Sequence, residues 1–143
     1  MRDYRGKRAD DGTWVFGSLL RYADNDLSIC CTTEHTFMVE QFDVIDETVG
    51  QYTGIFTMEE TEGGDTRCTF IYEGDIVEVV LIDGTHRGFS WGRHVVVFDR
   101  GAFCLKDRRG IITPMCNYAE SVKFKVLGNV WDNPEMMEGT GNA

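Results

Sequence analysis

The chain has 143 residues, enough for one domain with a real core, and its 42% apolar content is ordinary for a soluble globular protein. No apolar run approaches the roughly 20 residues that a membrane-spanning helix needs, so a membrane partner is excluded at this level. The net charge of −10 falls unevenly: residues 22–66 hold no Lys or Arg but carry Asp24, Asp26, Glu34, Glu40, Asp43, Asp46, Glu47, Glu59, Glu60, Glu62 and Asp65, a stretch that repels phosphate backbones and attracts basic partners.

The first residues, Met1-Arg2-Asp3-Tyr4-Arg5, are charged and lack the apolar segment of a signal peptide. The expected compartment is a reducing cytoplasm. Cys30, Cys31, Cys68, Cys104 and Cys116 form no C-x-x-C pair and read as small buried hydrophobes rather than metal ligands or disulfides.

Strand signals dominate in chain order. The turn Asp10-Asp11-Gly12 feeds a β-prone run from Trp14 to Leu20. Leu27 to Thr33 and Thr36 to Phe42 are short and rich in Thr, Ile, Phe and Val. Thr48 to Phe56 alternates, Glu59 to Asp65 reads as an exposed loop, and Ile76 to Ile82 is apolar enough for burial on both faces. Arg93 to Phe98, Phe103 to Lys106, Gly110 to Ile112 and Val122 to Trp131 complete the strands, separated by turns such as Asp83-Gly84 and Arg100-Gly101. The best helix candidate is Thr113 to Ser121, with Thr113 as N-cap and Pro114 at the first helical position. This pattern predicts an all-β fold, a small SH3-like barrel or a β-sandwich with at most one short helix, in a single domain over residues 1–138 with a disordered tail at 139–143.

Three phrases in fixed order carry a further signal: Val49-Gly50-Gln51-Tyr52-Thr53-Gly54, then Ile71-Tyr72-Glu73-Gly74-Asp75-Ile76-Val77, then Leu127-Gly128-Asn129-Val130-Trp131-Asp132-Asn133-Pro134-Glu135. With the opening Tyr4-Arg5-Gly6-Lys7-Arg8 and Gly12-Thr13-Trp14-Val15-Phe16-Gly17-Ser18-Leu19, they resemble the YopX family of phage and prophage proteins. The resemblance implies a β-rich, self-associating protein of phage origin and brings no catalytic residues with it. This chain departs from the family pattern at Tyr22 to Val44 and at the longer, acidic Thr57 to Thr69, both within or overlapping the acidic stretch.

No phosphate-binding, metalloprotease or nucleophile-elbow motif is present, so the chain is expected to be a non-enzymatic binding protein with no metal and no cofactor. His86 and His94 lack an evident third ligand, and a Ser90–His94 pair lacks an orienting group. The densest constellation is Thr85 to His94, where His86, Arg87, Phe89, Trp91, Arg93 and His94 gather cations and aromatics around glycines. Aromatics stack bases and arginines fork onto phosphate, so a nucleotide-like anion fits, and a counter-defence protein that sequesters it is the leading expectation. The alternative for that segment is a hairpin whose Trp91 and Phe89 pack on the core. Arg5, Lys7 and Arg8 would add to an anion site or balance the acidic stretch. The second expectation is an acidic module, presenting Asp43, Asp46, Glu47, Glu59, Glu60 and Glu62 to a basic host protein. A nucleic-acid-binding barrel is the weakest, given the net charge of −10.

Overall fold

The structure is a computed structural model and describes residues 3–32, 38–81, 89–118 and 122–138. It is all-β, as expected: eleven strands and three 3-10 turns are described. The chain divides into two compact units, residues 1–52 and 53–143.

The first unit holds β1 (Tyr4–Lys7), β2 (Trp14–Arg21), β3 (Leu27–Thr32), β4 (Val39–Asp43) and the start of β5 (Gly50–Glu60), hydrogen-bonded in the order β4-β3-β2-β1-β5. The β1–β2 pair sets Tyr4 opposite Gly17 and Lys7 opposite Trp14. Its core is Leu27, Ile29 and Val44, with Tyr4, Val15, Leu19, Cys31 and Val49 packed around them. Thr48, expected to open a strand, instead closes the 3-10 turn Asp46–Thr48, where it is buried and its hydroxyl donates to the Ile45 carbonyl at 2.6 Å.

In the second unit β5 pairs with β6 (Thr66–Tyr72), and a five-stranded antiparallel sheet runs in the order β10-β9-β8-β7-β11. Its strands are β7 (Asp75–Leu81), β8 (Phe89–Asp99), β9 (Ala102–Lys106), β10 (Ile112–Pro114) and β11 (Val122–Asn129). Among the described residues the edges β10 and β11 leave this sheet open, so it is not the closed SH3-like barrel that was one of the two expected forms. Ile71, Val77, Val79, Val96, Leu105 and Met115 form the buried core. In β7 the expected burial on both faces holds for Ile76, Val77 and Val79, all at 0% exposure, while Glu78, Val80 and Leu81 are half-buried.

Two expectations are corrected. Thr113 and Pro114 lie in β10, paired with Leu105 and Cys104, and only Met115–Asn117 turns, as 3-10 with no side-chain cap. Met115 is drawn into the core there, and that burial outweighs the capping signal. The exposed loop expected over Glu59 to Asp65 holds for Thr61 to Asp65, which turn the β5–β6 hairpin; only Glu59 and Glu60 differ, because β5 runs to Glu60, and β6 starts at Thr66. The Thr61 amide donates to the Asp65 carbonyl at 2.7 Å and Gly64 to Thr61 at 2.9 Å. The cysteine reading holds for Cys104; Cys68 and Cys116 are exposed.

The second and third of the three phrases are turn chemistry, whereas the first runs into β5. In Tyr72-Glu73-Gly74-Asp75 the buried Asp75 carboxylate accepts the Tyr72 amide at 2.8 Å. In the last phrase the buried Asn129 side-chain oxygen accepts from Trp131 and Asp132 amides at 3.1 and 2.9 Å. An Asx-type turn of this kind replaces ladder bonds when a strand ends.

Candidate functional site

The expected anion-binding residues fall in different places. Arg5, Lys7 and Arg8 belong to β1 and its continuation in the first unit and are engaged there. Arg5 is buried, with its guanidinium 4.8 Å from the Trp14 ring centre, and the Lys7 ammonium lies 5.5 Å from the same ring. Arg8 stacks on Phe42 at 4.3 Å and forks onto Asp10, Nε to Oδ1 at 2.9 Å and Nη2 to Oδ2 at 2.6 Å. The hydrogen bond to Asp10 pushes the Arg8 guanidinium above its ordinary value. A cleft of about 390 Å³ beside it, lined by Arg8, Ala9, Asp10, Gln41, Phe42 and Asp43, carries more carboxylate than cation.

In the second unit, His86 and Arg87, like the Asp83-Gly84 turn, lie outside the described residues, and nothing is described of the Phe89 side chain. Arg93 and His94 are on strand β8, as expected, and Trp91 joins them there because β8 begins earlier than expected, at Phe89. Between the pairs Val80–Ser90 and Glu78–Arg93 the register shifts, with one extra residue on β8. Gly92 sits at this bulge with φ 86°. That positive φ, which a side chain disfavours, resets which residues point inward. His94 is therefore buried, with Nδ1 3.2 Å from the Gly92 carbonyl oxygen, while Trp91 is 47% exposed and does not pack on the core. Ser90 is exposed and its hydroxyl accepts the Gly92 amide at 3.0 Å, so Ser90 and His94 face different surroundings.

Arg93 stays exposed and donates from Nη1 to the Met136 carbonyl at 3.3 Å. Arg108 donates from Nη2 to the same oxygen at 3.1 Å. Two guanidiniums thus converge where the last described turn, Pro134–Met136, ends.

Glu78, the strand partner of Arg93, lines a cleft of about 520 Å³ together with Glu59, Val80, Lys123 and Lys125. Alternation builds it. On β11, Phe124 and Val126 join the core, so Lys123 and Lys125 project from the other face. On β7, Val77 and Val79 face the core, which turns Glu78 and Val80 toward the lysines: Lys123 pairs with Val80 and Lys125 with Glu78. Glu59 comes from β5; its Oε2 accepts from Arg67 at 3.3 Å, and its Oε1 is buried without a hydrogen-bond partner. Among the described residues Lys123, Lys125 and Glu78 form no ion pair. Of these residues only Glu59 was expected at a site; the alternation of Val122-Lys123-Phe124-Lys125-Val126 is the signal that puts both lysines on the face away from the core, Lys125 exposed and Lys123 half-buried.

The expected acidic residues divide as well. Asp43 accepts from the Ser28 hydroxyl at 2.9 Å, and Asp46 and Glu47 sit exposed in the 3-10 turn of the first unit. Glu59, Glu60 and Glu62 belong to the second unit, with Glu62 exposed in the hairpin turn and the Glu60 side chain outside the description. Asp24, Asp26, Asp43 and Asp46 lie near one another: the Asp24 carboxylate first, then Asp46 and Asp43 among further causes, hold the Asp26 carboxyl above its ordinary range. Among the described residues no cluster of three or more His, Cys, Asp or Glu forms a metal cage, and no helix is long and apolar enough to cross a membrane.

Comparisons with known proteins give one family. The crystal structure of protein yopX from Bacillus subtilis is similar at 19% identity and a TM-score of 0.51, over 94% of this chain and 96% of that one. No curated protein matches the chain. The family described as YopX protein matches residues 3–138, and the chain belongs to the YopX family.

Proposed function

We propose that this chain is a phage or prophage accessory protein that acts in the cytoplasm of a bacterial host and binds, without transforming, a small anionic ligand of the phosphate-bearing, nucleotide-like kind. Capture of such a ligand would serve counter-defence. The observation that carries the reading is the cleft at Lys123 and Lys125, where two ammonium groups share one strand face and form no ion pair with the described carboxylates. Unpaired ammonium groups in a shared cleft favour an anion by charge-assisted hydrogen bonds.

The test is direct. Protein incubated with extract of phage-infected, defence-active bacteria, repurified and denatured, is expected to release a phosphate-bearing small molecule detectable by mass spectrometry. The Lys123→Ala/Lys125→Ala double variant is expected to release none. An empty supernatant from the unaltered protein, or equal release from the variant, overturns the assignment.

A second reading rests on Asp24, Asp43 and Asp46, which lie near enough to Asp26 in the first unit to hold its carboxyl up; this acidic face supports docking of a basic host protein. Binding of a lysine-rich peptide to that face is expected to weaken steeply as salt rises. Salt-insensitive binding overturns it. Self-association, tested by light scattering, is supported by Phe56, Met58 and Phe70, which are exposed on the β5–β6 hairpin with the two rings 6.3 Å apart.

A further inference from the structure

We infer that the ligand of the Lys123–Lys125 cleft carries two anionic groups about 10 Å apart, one held by the lysines and the other by Arg93, an inference that rests on reading the cleft as an anion site.

The strand register sets this spacing. Glu78 on β7 is paired with Arg93 on β8 and with Lys125 on β11, so cation, anion and cation lie in one row across three strands. Two strand-to-strand steps separate the outer members by about 10 Å at the backbone. Opposite charges directly across a sheet would ordinarily close into ion pairs. Here they do not: Glu78, Arg93 and Lys125 form no ion pair among the described residues, and Arg93 reaches to the Met136 carbonyl instead.

A single anion placed between the two cations would sit over the Glu78 carboxylate and be repelled. A two-headed anion avoids this by putting one head on each cation and a neutral linker over Glu78. Val80, the next residue on that face, lines the same cleft and gives the linker an apolar surface. The row therefore selects length as well as charge.

The probe is a series of alkane-α,ω-bisphosphonates, from methylenebisphosphonate to chains longer than the strand separation, with methylphosphonate as the single-headed reference. Titrations of the full chain are followed by amide shifts of β7, β8 and β11. Affinity is expected to pass through a maximum at a span of about 10 Å, roughly tenfold above methylphosphonate. Arg93→Ala is expected to remove the maximum and leave methylphosphonate binding unchanged, and Arg93→Lys to retain it. Glu78→Gln is expected to tighten every member of the series. A flat length profile with methylphosphonate still bound at the lysines overturns the two-headed ligand and leaves the anion site standing. No phosphonate binding by the folded protein overturns both.

Discussion

Trp131 lies so close to Gly74 that a Cβ on Gly74 would overlap its ring atoms. Gly74 also has φ +88°, and its amide and carbonyl hold Val96 and Val130 at 2.8 and 3.0 Å. The second and third phrases of the sequence therefore meet in space within the second unit.

Gly74→Ala combines left-handed backbone strain with overpacking and is expected to cost at least about 2 kcal/mol. Urea unfolding checks this. A loss within experimental error of zero would show that the Trp131 ring moves aside without penalty.

Asp75→Ala removes the acceptor of the Tyr72 amide in a buried turn, an expected loss of about 1–3 kcal/mol. Asp75→Asn keeps an oxygen there and is expected to lose less. Thermal melts of the two variants side by side distinguish loss of the acceptor from loss of the charge.

Asp26 and Asp11 predict opposite responses to pH. Asp26 is raised, chiefly by Asp24, so its favourable contribution is full below the ordinary carboxylate pKa and is lost as pH rises through the folded value. Asp26→Asn is therefore expected to stabilise at neutral pH and to change nothing in strong acid. Asp11 is lowered, first by the Thr13 amide, then by the Thr13 hydroxyl, with Arg8 adding to it. Its contribution is present above the ordinary pKa and is lost as pH falls through the folded value. Asp11→Asn is expected to destabilise at neutral pH only. Urea midpoints against pH for both variants check the two signs.

Arg108→Ala leaves the Met136 carbonyl to Arg93 alone. Amide hydrogen exchange at Met136 and Met137 is expected to speed up by roughly tenfold, while β7 and β8 are unchanged. Unchanged exchange at those two amides would mean that the turn's own bonds from Met136 to Asn133 and Met137 to Pro134 suffice.

The sequence by itself determined the all-β class, the family and most strand positions. β2, β3, β7 and β9 lie close to their expected places because β-branched and aromatic runs between Gly and Asp turns are local signals. β1 was missed because Arg5, Gly6 and Lys7 carry weak strand propensity and acquire their form from partner β2, whereas β6 was missed although Thr66, Thr69, Phe70, Ile71 and Tyr72 favour a strand. Only the tertiary structure decided which cations remain available. Arg8 is taken up by Asp10 and Phe42, one extra residue at Gly92 turns His94 inward and leaves Arg93 out, and the pairing of β7 with β11 places Lys125 beside Glu78. The reason is physical. Strand propensity depends on near neighbours, whereas the face a side chain shows depends on long-range register, in which a single inserted residue reverses every position that follows.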